Sequence, residues 1–190
     1  GPCEQAAYAY WTAWKCALSG ADAERKRLGD LLNAEMEQGG RWAGNFAVAL
    51  GLLGDARACG VLRSLVATPG ASHPAGSDTV VAHAYPNRIK AICLLGRLGD
   101  NASIPLLRDV VLDGAVAFTK DLLGTGLYRT PERYRFEALS YALMSLRTLL
   151  KSRPDSCVSE ALLAWYGKPL TLLSERDKTD LAPMQKNIIQ

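Results

Sequence analysis

Apolar residues recur at helical spacing along most of this chain. Between residues 3 and 19, Ala6, Ala7, Tyr10, Trp11, Trp14 and Leu18 fall three and four positions apart, which predicts an amphipathic helix. Ser19-Gly20 stops it, and Asp22 is placed to cap a second helix that carries Arg25 to Met36. Gly39-Gly40 ends that helix, closing a first pair near 3–38. Its tryptophan-rich start reads as the terminal pair of a stack.

A phrase then occurs twice. Ala49-Leu50-Gly51-Leu52-Leu53-Gly54-Asp55 is answered by Leu94-Leu95-Gly96-Arg97-Leu98-Gly99-Asp100, and the two Gly-Asp steps lie 45 positions apart. In both, glycine is placed to end a helix in a left-handed turn and aspartate to cap the next one. The first copy predicts a pair over 42–67, with Cys59, Leu62, Leu65 and Val66 on one face of its second helix, stopped by Thr68-Pro69-Gly70. The second predicts a pair over 87–112, with Ala91, Leu94, Leu95, Leu98, Ile104, Leu107 and Val111 inside. Pro105 falls in the first turns of a helix, where its missing N–H costs least.

A further pair is expected near 132–173. Phe136, Leu139, Leu143, Leu146 and Leu150 line a long helix, Arg153-Pro154-Asp155 breaks it, and Val158, Leu162, Leu163 and Trp165 continue in another. Residues 176–190 read as a polar C-terminal tail after one domain over 1–175. No alternation long enough for a sheet occurs. A single helix pair buries one face only, so pairs at a fixed period must stack. The expected fold is all-α: an α–α superhelix, or solenoid, of three to four stacked helix pairs.

Composition narrows the functional classes. With 190 residues and 48 % hydrophobic content, the chain is long enough for a sizeable core. Its net charge of +3 comes from 22 basic and 19 acidic side chains, a balance that does not by itself imply a nucleic-acid or anionic-membrane partner. No apolar run approaches the ~20 residues of a membrane span, and no signal peptide is visible. Gly1-Pro2 reads as a protease scar, which leaves a removed leader or a preceding domain open. Cys3, Cys16, Cys59, Cys93 and Cys157 are odd in number, widely spaced and without a Cys-x-x-Cys, so small buried thiols are expected, with a lean towards a reducing, cytoplasmic compartment.

The segment from Arg88 through Ala91-Ile92, Leu95-Gly96-Arg97-Leu98-Gly99-Asp100-Asn101-Ala102 and Ile104-Pro105-Leu106-Leu107 resembles the HEAT-like repeat of phycobilisome-lyase-type proteins. Residues 46–66 are similar to the same pattern without the proline. The resemblance implies stacked HEAT-like pairs and is specific for fold rather than activity. That family holds scaffolds, regulators, bilin lyases, DNA-glycosylase-like relatives and a di-iron hydroxylase. The hydroxylase relatives carry paired His-Glu motifs, and this chain contains no His-Glu pair.

Candidate chemistry concentrates in two long connections, roughly 68–86 and 113–131, well beyond the usual ~2–8 residues between helices. In an up-down array both leave on the same edge, which makes that edge the candidate binding surface. The first carries His73, Asp78, His83 and Tyr85, with Arg88 just beyond; the second carries Phe118, Lys120, Gly124-Thr125-Gly126, Tyr128 and Arg129. The alternative is a pair of tolerated insertions of ordinary loop composition. His73, His83 and Asp78 match no metal-site spacing, and Gly124-Thr125-Gly126 lacks the Lys-Ser/Thr of a phosphate loop. Tyr128, Arg129, Arg133, Tyr134 and Arg135 form the densest basic-aromatic cluster, diluted by Glu132 and Glu137. Arg63 and Arg108 occupy equivalent positions 45 residues apart, either as an anion-binding ladder or as two solvated helix positions.

No Gly-x-Ser-x-Gly and no His-Glu-x-x-His is present, so no catalytic residue, metal or cofactor is expected. The first functional expectation is a non-catalytic protein-interaction or scaffold module. The second is an accessory C-terminal domain of a larger enzyme, for instance a flavin-dependent oxidoreductase, joined covalently to the catalytic part. The third is a nucleic-acid or small-anion binder using Arg63, Arg108 and the 128–135 cluster.

Overall fold

The computed structural model describes residues 2–40, 42–67, 87–113, 131–151, 155–156 and 158–160; within these, the side chains of 2–7 and 131–136 lie outside the description. Every regular element among the described residues is helical. In chain order the longer helices are α1 (Pro2–Ser19), α2 (Asp22–Glu37), α3 (Ala43–Leu52), α4 (Cys59–Ala67), α5 (Asn87–Arg97), α6 (104–113) and α7 (Pro131–Leu149). The chain divides into two units, Gly1–Ser103 and Ile104–Gln190, and the boundary falls between α5 and α6, inside the pair predicted over 87–112.

In the first unit α3 is central and packs against α1, α2, α4 and α5; α4 also packs on α5. The sequence of α3 explains this position. Ala47, Val48, Ala49, Leu50 and Gly51 are all buried, so the helix offers apolar surface on every side. Gly51 sets the spacing: a Cβ there would stand 3.1 Å from Leu94 Cδ1 and 3.2 Å from Leu62 Cδ1, so glycine lets α4 and α5 close on α3. Leu50, Leu62, Val66, Ile89, Ile92 and Leu95 complete the core.

Helix ends follow local chemistry. Gly20 ends α1, and its N–H bonds to the Cys16 carbonyl. Asp22 is the first residue of α2 rather than its cap; Ala21 holds that place, and the Glu24 carboxylate accepts its N–H at 3.3 Å. Gly39 and Gly40, at φ of 76° and 85°, end α2.

In the second unit, Leu107, Val110 and Val111 of α6 and Ala138, Leu139, Ala142, Leu146 and Leu149 of α7 are buried. Leu143 and Leu150, predicted inside, are half-buried. The residues predicted as the last helix, beyond 160, and the tail 176–190 lie outside the described residues.

Candidate functional site

The two Gly-Asp steps have the same geometry. Gly54 and Gly99 adopt φ of 84° and 70°, the left-handed region that side chains resist. The Asp55 N–H reaches the Leu50 carbonyl at 3.3 Å and the Gly54 N–H the Gly51 carbonyl at 3.0 Å. One period later the Asp100 N–H reaches Leu95 at 3.1 Å and the Gly99 N–H reaches Gly96 at 3.2 Å. This is the paired 6→1 and 5→2 closure of a Schellman motif in both places. Each turn leads into a short 3-10 turn, Ala56–Ala58 or Asn101–Ser103, before the next helix begins. Asp55 caps the first, accepting the Arg57 N–H at 3.0 Å.

Each turn is also latched to an earlier helix by an arginine. Arg57 joins Asp55 to Asp30 of α2, the latter at 3.0 Å. Its guanidinium holds the Asp55 carboxyl below the usual carboxylate range, mainly through the side-chain hydrogen bond. Arg63 of α4 places Nη1 2.8 Å from both carboxylate oxygens of Asp100, which is only 11 % exposed. In the second unit Arg108 of α6 donates Nε to Asp155 Oδ2 at 2.5 Å. Asp155, 9 % exposed, also accepts the Val158 N–H at 3.2 Å as a cap. The two arginines read from sequence as either an anion ladder or two solvated positions therefore each hold a carboxylate of the chain.

Arg88 likewise turns inward. Its Nε donates to the Val66 carbonyl at 3.0 Å, meeting one of the acceptors left over at the end of α4. Arg133 lies in the first turns of α7, with its side chain outside the described residues. His73, His83, Tyr85, Lys120, Tyr128 and Arg129 all lie outside them too.

A polar cluster that sequence reasoning missed sits inside the first unit, where α1, α3 and α5 meet. Asn45 and Asn87 are buried, and Asn87 Nδ2 donates to Asn45 Oδ1. Among the described residues, Asn45 Nδ2 has no hydrogen-bond acceptor. One turn along α5 from Asn87, Lys90 buries its ammonium over the Tyr10 ring, 5.1 Å from the centroid. Burial raises the Tyr10 hydroxyl above its ordinary value. A signal was available: Asn45 and Lys90 are 45 residues apart, polar at equivalent places of two apolar phrases.

Among the described residues, no group of three His, Cys, Asp or Glu side chains is placed to hold a metal, and no helix is long and apolar enough to cross a membrane. Cys16, Cys59 and Cys93 are free thiols. Burial pushes Cys93 up to about 11, and burial together with the nearby Asp100 charge raises Cys59. No family model, no curated protein and no solved structure matches the chain.

Proposed function

We propose that this chain is a protein-interaction module built from stacked HEAT-like helix pairs, a short α–α superhelix without catalytic chemistry of its own. The observation that carries the reading is the set of arginine latches. Arg57–Asp30, Arg63–Asp100 and Arg108–Asp155 each tie the start of the second helix of one predicted pair to the second helix of the pair before. Bonds of that kind between successive pairs are what a nearest-neighbour stack requires. A stack of this type works through its surface, and the edge carrying the connections 68–86 and 113–131 is the proposed contact surface for a protein partner. Anion capture by Arg63 and Arg108 is the weaker reading, because both guanidinium groups already hold carboxylates.

The test is affinity capture from source lysate with the native chain and with a variant in which 70–84 and 115–129 are replaced by short Gly-Ser linkers. Both proteins are first shown by circular dichroism to be equally helical. A partner held by the native chain and lost by the trimmed one supports the proposal. An identical capture, or none, contradicts it.

A further inference from the structure

The first helix turns an aromatic face outward. Tyr8, Trp11, Trp14 and Leu18 are 71 %, 40 %, 47 % and 70 % exposed, while Ala9 and Ala13 on the opposite side are buried. The four recur at helical spacing along about 15 Å of helix. Trp11 and Trp14 meet edge to face at 5.7 Å between centroids, and Tyr10 and Trp11 do so at 6.0 Å. The outer helix of a stack ordinarily presents a polar face to water. This one presents two indoles and a phenol in one strip.

We propose that this face is where two copies of the chain meet, through antiparallel pairing of α1 with α1 of a second copy. The spacing is self-complementary. About a two-fold axis level with residues 12 and 13, Tyr8 falls opposite Leu18 of the second copy and Trp11 opposite its Trp14, each to within about one residue, with Lys15 beside Trp11. An isologous interface needs that reciprocity. The area fits as well. Aromatic side chains present ~150–250 Å² each, so the exposed fractions amount to about 450 Å² per chain and about 900 Å² for the pair. The exposed Thr12 and Lys15 alongside bring the total to at most roughly 1,000 Å², the range of a weak, reversible dimer. Aromatic residues are also the side chains that dominate such contacts.

Sedimentation velocity over a concentration series tests the proposal on the whole chain. The wild type is expected to pass from monomer to a discrete dimer with a midpoint of tens of micromolar. Trp14→Glu and, separately, Leu18→Glu raise the midpoint at least tenfold. Leu31→Glu, at an exposed leucine of α2, leaves it unchanged. All three substituted positions are solvent-facing, and circular dichroism checks that each variant keeps its helix content. A wild type that stays monomeric to about 500 μM overturns the proposal and assigns the strip to another occupant. So does a dimer indifferent to Trp14→Glu and Leu18→Glu.

Discussion

Arg63→Met should expose how strongly the second Gly-Asp turn depends on its latch. Arg63 Nη1 lies 2.8 Å from each oxygen of Asp100, and the substitution leaves that carboxylate 11 % exposed and without its cation. A hydrogen bond to a charged group contributes about 1.5–3 kcal/mol, whereas fully exposed ion pairs contribute less than ~1 kcal/mol. Arg63 is more than a third exposed, so solvent screens part of the interaction. The expected loss is therefore about 2 kcal/mol for Arg63→Met. Asp100→Asn costs less, because the amide stays polar and the arginine can turn to water. The double variant should be little worse than Arg63→Met alone, giving a coupling of about 1–2 kcal/mol. Urea unfolding followed at 222 nm, at low and at high salt, measures all four corners of the cycle. Additive effects, with a coupling below ~0.3 kcal/mol, would refute the claim that this pair holds the turn in place.

Other consequences follow from the same turns and thiols. Gly99→Ala is expected to cost about 1 kcal/mol, because φ of 70° disfavours any Cβ although nothing lies within 4 Å of the space it would fill. Gly99→Asn should cost less, and the two are compared by urea midpoint. Asp55 titrates below its unfolded value of ~3.9, so its contribution is complete above that pH and is lost as pH falls through the lowered folded value. Asp55→Asn keeps the cap but loses the charge; its stability deficit should be greatest near neutrality and shrink below about pH 4, as read by urea unfolding across pH. Cys93, pushed up to about 11 by burial, should react with iodoacetamide at pH 8 at least 100-fold more slowly in the folded chain than in urea, measured by mass spectrometry. Asn45→Ala removes the acceptor of Asn87 Nδ2 and should destabilise by about 1–2 kcal/mol, again by urea unfolding.

Helix positions and turn chemistry were legible because they are local. Gly54-Asp55 and Gly99-Asp100 announce a left-handed stop and a restart in the residues themselves, and both glycines sit at positive φ. The buried face of α4 could be read from spacing, since Cys59, Leu62, Leu65 and Val66 recur on one side. What could not be read was pairing across the period. Arg63 and Arg108 are visibly equivalent, yet nothing near either residue announces Asp100 or Asp155 as partner, because each contact spans 37 or 47 residues. Trp11 and Trp14 show the limit of hydrophobicity as a guide. They fit the amphipathic pattern of α1, but alanines occupy its buried face and the indoles stand outward. Asn45 and Lys90 were passed over because isolated polar residues within apolar phrases look like solvent positions until the packing of α1 against α3 is known. The candidate residues on the long connections, His73, His83, Tyr85, Lys120, Tyr128 and Arg129, lie outside the described residues.

The most direct test of the account is hydrogen–deuterium exchange of the chain with and without a captured protein partner. The account predicts slowed exchange in 68–86 and 113–131, with α3 and α5 unchanged. Protection confined to other surfaces, with both connections exchanging as in the free chain, would contradict it.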